Sequence, residues 1–226
     1  MMSKSAHKES RELEREAKRD AILKAAQRVA VEHGFHALSM SAIAREAGVS
    51  KAALYLYFDS RAALVAGILL RSATHMTPLL RDALSGAGSG IEAIRALLEA
   101  HVGFYEAHPQ HFAFMLASLL HRRHVATDEQ AFAEFRAKLG ENIGLVTQAI
   151  ERGKLDGTIR KDLDTRVLAK HLWSSLLGVF LMHYDCAEDC HRSPLPVNSH
   201  DLVATHIELE LLAIRATASE VPERIR

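Results

Sequence analysis

Cysteine is nearly absent: Cys186 and Cys190 are the only two in 226 residues, too few for the disulfide framework of a small secreted domain. Aromatic residues make up 6% of the chain, and the period-two alternation that marks half-buried strands is scarce. Neither sign of charge dominates, since 28 Lys and Arg balance 28 Asp and Glu. The whole-chain balance therefore does not advertise nucleic acid, a membrane surface or an acidic substrate. Long apolar runs are missing; Leu176 to Met182 falls far short of the ~20 residues that span a bilayer. The opening MMSKSAHKESRELEREAKRD is charged where a signal peptide is apolar, so a cytoplasmic chain with no membrane partner is expected. There is also no Gly-rich phosphate loop, no nucleophile elbow and no His-Glu-x-x-His helix, so neither catalysis nor a cofactor is expected.

What is present is an ordinary globular composition, 48% hydrophobic and 25% charged, which excludes disorder. The charge is unevenly placed. Through Arg61 there are eleven Lys and Arg against eight Asp and Glu, leaving 17 against 20 beyond it, so a basic N-terminal quarter precedes an acidic remainder. That is the distribution of a DNA-touching domain joined to a body that stays off DNA.

Apolar residues recur at three- and four-residue spacing through most of the chain, which predicts an all-α fold. Ile22, Ala26, Val29 and Ala30 form one stripe of a first helix stopping at Gly34. Short helices follow over Ser41 to Glu46 and Lys51 to Tyr57, separated by Gly48-Val49-Ser50, with Ser50 and Ser60 as N-caps. A longer helix runs from Arg61 into the eighties, with Pro78 a kink or break. Ser85 to Gly90 reads as a linker. Further helices cover Ile91 to Ala107, Phe112 to Leu120, Asp128 to Gly153, Asp164 to Tyr184 and His200 to Ala218. The expected organisation is a flexible N-terminal arm over 1–16, a helix-turn-helix domain over 17–63, and a helical ligand-binding and dimerisation domain over 64–226.

The segment SAIAREAGVSKAALYLYF, Ser41 to Phe58, carries the function. Placed on two short helices, Leu54 and Phe58 share one side and can pack with Ile43, Ala47 and Val49 under the turn. Lys51 and Tyr55, also four apart, share a neighbouring side with no core to meet. A helix-turn-helix needs this arrangement, a bracing helix and a second one whose exposed N-terminal side chains enter the major groove. Small Ala52 and Ala53 allow close approach and contact with a thymine methyl group.

These residues carry a resemblance. Arg19-x-x-Ile22-Leu23-x-Ala25-Ala26, Gly34-Phe35, and Ile43-Ala44-x-x-Ala47-Gly48-Val49-Ser50-Lys51-x-x-Leu54-Tyr55-x-Tyr57-Phe58-x-Ser60-Arg61-x-x-Leu64 together resemble the DNA-binding domain of the TetR family of transcriptional regulators. The resemblance implies DNA contacts by Lys51, Tyr55 and Tyr57, with Ser50 and Ala52 on the same recognition segment. It also implies contacts by Ser39 and Ser41 before the bracing helix, Arg19 on the first helix and Arg61 on the fourth. Most of these are phosphate contacts, which position, rather than base contacts, which specify. Ser39 and Arg61 stand where Thr and Lys are commoner in the family, and Tyr57 beside Phe58 is either a DNA contact or partly core.

The body resembles the family only in outline. The helix Asp164 to Tyr184 is apolar on more than one face, with Leu168, Leu172, Leu176 and Val179 on one and Trp173, Leu177, Phe180 and Leu181 on another. It must be covered all round. Ser174 and Gly178 permit a close helix, and Val203, Ile207, Leu211 and Ile214 either complete a four-helix dimer interface or form intramolecular core. An apolar or aromatic effector would meet a set drawn from His101, Phe104, Tyr105, His111, Phe112, Met115, Leu119, His171 and Trp173, each as readily plain core as lining.

As the resemblance implies, an effector-free homodimer would hold a palindromic operator and repress, and an effector would shift the helix from Arg61 to Pro78 to release it. Three other readings remain. His183, Cys186, Cys190 and His191 have soft-ligand chemistry suited to a metal-sensing regulator. An apolar pocket with one of the 14 histidines as a base suits an enzyme. A DNA-packing protein would bind without sequence preference.

Overall fold

The computed structural model describes residues 2–121, 129–189 and 198–216. Among them regular structure is helical: α1 (Met2–His33), a 3-10 turn (Phe35–Ala37), α2 (Met40–Glu46), α3 (Lys51–Tyr55), α4 (Arg61–Ser85), α5 (Gly90–Ala107), α6 (Pro109–Leu120), α7 (Ala133–Asp156), α8 (Thr165–Asp189) and α9 (Ser199–Ile214). One isolated bridge, Ile159 to Arg215, is the only extended pairing among these residues. The all-α expectation is met.

Two compact units emerge, Met1–His75 with Tyr105–Leu139, and Met76–Phe104 with Gly140–Arg226. This differs from the expected boundary after residue 63. In the first unit one apolar core gathers Ile22, Leu23, Val29 and Ala30 of α1, Phe35, Ile43 of α2, Leu54, Phe58, Leu64 and Ile68 of α4, and Phe114 of α6. The Phe35 and Phe114 rings lie 5.8 Å apart, and His121 stacks on Phe35 at 5.1 Å. Long-range aromatic packing of this kind leaves no trace in local sequence pattern, so periodicity alone places α6 with the body.

Residues 2–16, expected as an arm, are instead the first half of α1. Residues 1–33 contain neither Gly nor Pro, and Lys8/Glu12 and Glu14/Lys18 place opposite charges four residues apart, which favours helix. The helix ends at Gly34, whose φ of +83° suits a residue without Cβ. Pro78 neither breaks nor ends α4; it sits on the exposed side of the helix, where a missing donor costs least. α4 also has the length and composition of a membrane span, but Leu64, Val65, Ile68 and Leu69 are buried in the first unit's core.

Polar groups tie the first unit from α1 to α4 and from α4 to α6. Arg71 donates from Nη1 to Asp20 Oδ1 at 2.9 Å and from Nη2 to Gln27, and Ser72 Oγ lies 2.7 Å from His111 Nδ1.

In the second unit α8 packs on α9, with Leu168, Leu172, Leu176 and Phe180 buried on one helix and Val203, Ile207, Leu211 and Ile214 on the other. The α9 stripe is thus intramolecular core, the plainer of its two expected roles. At the start of α5, Gly90 N–H donates to Asp156 Oδ2 at 2.7 Å and Ile91 N–H to Thr158 Oγ1 at 3.1 Å. A carboxylate at a helix N-terminus satisfies a donor the helix leaves open. It is also held charged: although burial pushes the Asp156 carboxyl up, hydrogen bonds from Thr158 and Gly90 outweigh that and lower it.

Candidate nucleic-acid interface

α2 and α3 are both short, so their ends must be fixed by side chains and backbone rather than by cooperativity. Ser39 caps α2, its Oγ accepting from Ala42 N–H at 3.2 Å, and Ser50 caps α3, accepting from Ala53 N–H at 3.1 Å. Ser60 does the same for α4, accepting from Ala63 N–H at 3.0 Å. Each such cap is worth about 1 kcal/mol.

Between α2 and α3 the chain reverses through Gly48, with φ +67°. Gly48 N–H donates to Arg45 O at 3.2 Å and Val49 N–H to Ala44 O at 3.0 Å, the paired bonds of a Schellman ending. A Cβ at Gly48 would meet nothing within 4 Å, so backbone conformation alone requires glycine there.

Beneath this turn Ile43 and Leu54 are fully buried and Phe58 is nearly so, with Ala47 and Val49 packed against them. Full burial of each large side chain contributes about 1.5–3 kcal/mol, enough to hold so short a segment against its entropy. Regular helix ends at Tyr55, earlier than expected, but the turn continues because Phe58 N–H donates to Leu54 O at 3.1 Å.

Locking Leu54 and Phe58 inward sends the neighbouring face outward. Ser50, Lys51 and Ala52 are exposed, and Tyr55 retains 43% of its surface. Ser41 is exposed on α2. Tyr57 is half-buried and packs against the core, so it divides between its two expected roles. Leu56, 76% exposed, was not singled out from the sequence. Its place next to Tyr55 and two residues from Leu54 was the available signal, and an exposed apolar side chain there has the chemistry to meet a thymine methyl group.

Two cations take unexpected surroundings. The Arg19 guanidinium lies 5.0 Å from the Phe58 ring centroid, and the residue remains exposed. Arg61 turns inward: Nη2 donates to Phe35 O at 2.8 Å, and the guanidinium sits 5.2 Å from the Phe35 ring. Its side chain is thus engaged within the domain, a partner that the expected DNA contact did not include.

The effector candidates divide between the units. In the first, Tyr105 packs edge-on to Phe112 at 5.2 Å and donates from its hydroxyl to Met115 Sδ at 3.4 Å. Burial pushes this phenol up to about 12. His111 is buried, and that burial, with Arg71, His108 and His75 nearby, pushes its imidazole down to about 4, so it is neutral at pH 7. Leu119 is half-buried on α6.

In the second unit Phe104 is buried. His101 donates from Nδ1 to Leu97 O at 2.8 Å, and burial lowers its pKa. The exposed His171 places its Nε2 3.0 Å from Oε2 of the buried Glu210, and Lys170 Nζ sits 4.5 Å from the Trp173 ring. The structure therefore does not gather all nine into one unit. Of the thiol and imidazole group, His183 and Cys186 lie on α8, while Cys190 and His191 fall outside the described residues. Among the described residues no three His, Cys, Asp or Glu side chains are arranged to hold a metal ion.

A capped two-helix turn, cored beneath and bearing lysine, alanine and tyrosine outward, defines the class of helix-turn-helix modules, here within an all-helical chain. Residues 22–68 match the family model for bacterial regulatory proteins of the tetR family. The HTH-type transcriptional activator FasR of Mycolicibacterium smegmatis is 37% identical over 94 residues, covering 42% of this chain and 43% of FasR. The aligned part is thus less than half of that relative's length. The HTH-type transcriptional regulator UidR of Escherichia coli K12 is 25% identical over 173 residues, 71% of this chain and 79% of UidR. Among solved structures, the transcriptional regulator FadR from Bacillus subtilis, in complex with stearoyl-CoA, superposes with a TM-score of 0.67 at 16% identity over 86% of this chain and 98% of that one. Residues 22–68 therefore carry a DNA-binding module of the tetR type, and the chain as a whole shares the fold of these regulators.

Proposed function

We propose that this chain is a cytoplasmic transcriptional regulator, and not an enzyme, that binds double-stranded DNA through the surface of α2 and α3 as a homodimer. The observation that carries this reading is the outward face of Lys51, Ala52 and Tyr55 over the buried Ile43, Leu54 and Phe58. Ser41 and Arg19 flank it as phosphate contacts, and Ser39 and Ser50 serve first as caps. Lys51→Ala or Tyr55→Ala should keep the helical circular dichroism of the parent and weaken binding to a duplex selected by the intact chain from a random pool. Parental affinity in both, by fluorescence anisotropy, would refute the assignment.

Dimerisation is supported by what α8 and α9 leave uncovered. With Leu168, Leu172, Leu176 and Phe180 turned inward, Val167, His171, Ser174, Gly178 and Leu181 form an exposed seam at alternating four- and three-residue spacing, and Leu209 and Leu212 are exposed on α9. Small residues in mid-seam allow a second copy's helix to approach closely. A dimer places two recognition helices on half-sites one DNA turn apart. Leu209→Glu with Leu212→Glu should sediment as a monomer.

The effector in this reading is a small apolar or aromatic molecule whose binding favours the DNA-incompetent state, so that an effector-free dimer represses. Stearoyl-CoA in the B. subtilis FadR structure is an example of apolar-tailed chemistry on the same fold. The Tyr105, Phe112 and Met115 group, with a hydroxyl that stays protonated, is the apolar lining we assign to it. Mass spectrometry of what co-purifies, followed by release of the duplex on adding it back, tests this part.

A further inference from the structure

Along α1 the positions 8, 11, 15, 18, 22, 25 and 29 follow one another at alternating three- and four-residue steps, so they form a single seam on one side of the helix. In its second half the seam is Ile22, Ala25 and Val29, all buried, at 2%, 0% and 4% exposure. In its first half it is Lys8, Arg11, Arg15 and Lys18, all exposed. One stripe of the side of α1 that meets protein from residue 22 onward is therefore cationic before it, while the neighbouring stripe that later buries Leu23 and Ala30 carries Glu9 and Glu16.

Arg19, where the change occurs, lies over Phe58 just past the recognition segment. Glu9, Glu12 and Glu16 follow a three- and four-residue spacing of their own on an adjoining arc. Among the described residues none of Lys8, Arg11, Arg15, Lys18 and Arg19 forms an ion pair, in contrast to Lys24, which pairs with Asp20 at 2.8 Å.

We propose that the N-terminal half of α1 is a second DNA-binding surface, its cationic seam lying along the phosphate backbone that flanks the sequence read by α3. Two features select duplex DNA as the occupant. Four successive seam positions of one sign, spread over roughly 15 Å of helix, match a polyanion of regular charge spacing. The seam also begins at the edge of the same unit that carries the recognition segment. These are backbone contacts, which lengthen the footprint and add salt-dependent affinity without adding sequence preference.

The inference rests on the DNA-binding reading above, and the test separates the two. The probes are a duplex selected from a random pool by the intact chain and the same duplex trimmed to the half-sites. The variant is the full chain with Lys8, Arg11, Arg15 and Lys18 each changed to Gln, a substitution that keeps helix propensity; its control carries Glu9→Gln, Glu12→Gln and Glu16→Gln.

With circular dichroism and sedimentation unchanged, the basic-seam variant should lose roughly tenfold or more in affinity on the long duplex and less than about twofold on the trimmed one. Its salt slope should fall by about 0.9 for each phosphate released, and its footprint should shorten, while the acidic-arc control loses no affinity. Parental affinity and slope on the long duplex overturn the proposal, as does an equal loss on both duplexes or a loss that tracks dissociation of the dimer. If the intact chain binds, Lys51→Ala abolishes binding and the seam variant matches the parent, the seam proposal alone falls. If the intact chain selects no duplex, the functional reading falls and takes the seam with it.

Discussion

Replacing Arg61 by alanine separates a structural arginine from a DNA-contacting one. Its guanidinium donates to the Phe35 carbonyl at 2.8 Å and lies 5.2 Å from the Phe35 ring. A hydrogen bond from a charged donor contributes about 1.5–3 kcal/mol and a cation over an aromatic face about 0.5–1 kcal/mol. Arg61→Ala should therefore destabilise the fold by about 2–4 kcal/mol. For a chain of this length each kcal/mol moves the midpoint by about 2–4 °C, so scanning calorimetry should show a Tm lower by roughly 5–15 °C. The salt dependence of DNA affinity, measured well below that midpoint, should keep the parental slope, because no phosphate contact has been removed. An unchanged Tm together with a slope reduced by about one would refute the reasoning and return Arg61 to the DNA.

His111 should make stability fall with acidification. Its folded-state pKa, near 4, lies below the ordinary value of about 6.5, so the unfolded chain takes up its proton first and stability declines as pH drops from 6.5 toward 4. Urea midpoints across that range should fall less steeply in His111→Leu than in the parent, and parallel profiles would exclude the effect. Gly153→Ala should be destabilising by about 1–3 kcal/mol, because the new Cβ would lie 2.4 Å from Ile159 Cδ1. Gly144→Ala, on the same helix with nothing within 4 Å of its Cβ, should instead stabilise by about 0.5–1 kcal/mol, and equal urea midpoints for the two variants would contradict the packing described.

The recognition segment was legible because each of its signals is local. Caps, a positive-φ glycine and a four-residue apolar spacing all lie within twenty residues of one another, and together they decide which side chains face out. What sequence could not supply was the direction of long side chains whose partners are distant. Arg61 has the position of a phosphate contact, but the Phe35 carbonyl, 26 residues earlier in the chain, claims it. The same gap explains α9. Periodicity identified Val203, Ile207, Leu211 and Ile214 as one stripe, but only the packing on α8 assigns that stripe to the interior and leaves Leu209 and Leu212 outside. The N-terminal half of α1 was missed for a different reason. Its charged residues leave no apolar stripe of the kind that marks the later helices, whereas the absence of Gly and Pro and the spacing of opposite charges favour helix.

Phe35 is shared by the ring of Phe114, the ring of His121 and the guanidinium of Arg61, so α6 is part of the wall behind the DNA-reading turn. A hybrid regulator made by transplanting only residues 17–63 onto a foreign body would strip that wall away and present a bare aromatic face to water. Modular exchange in this protein has to carry Tyr105–Leu139 along with the reading head.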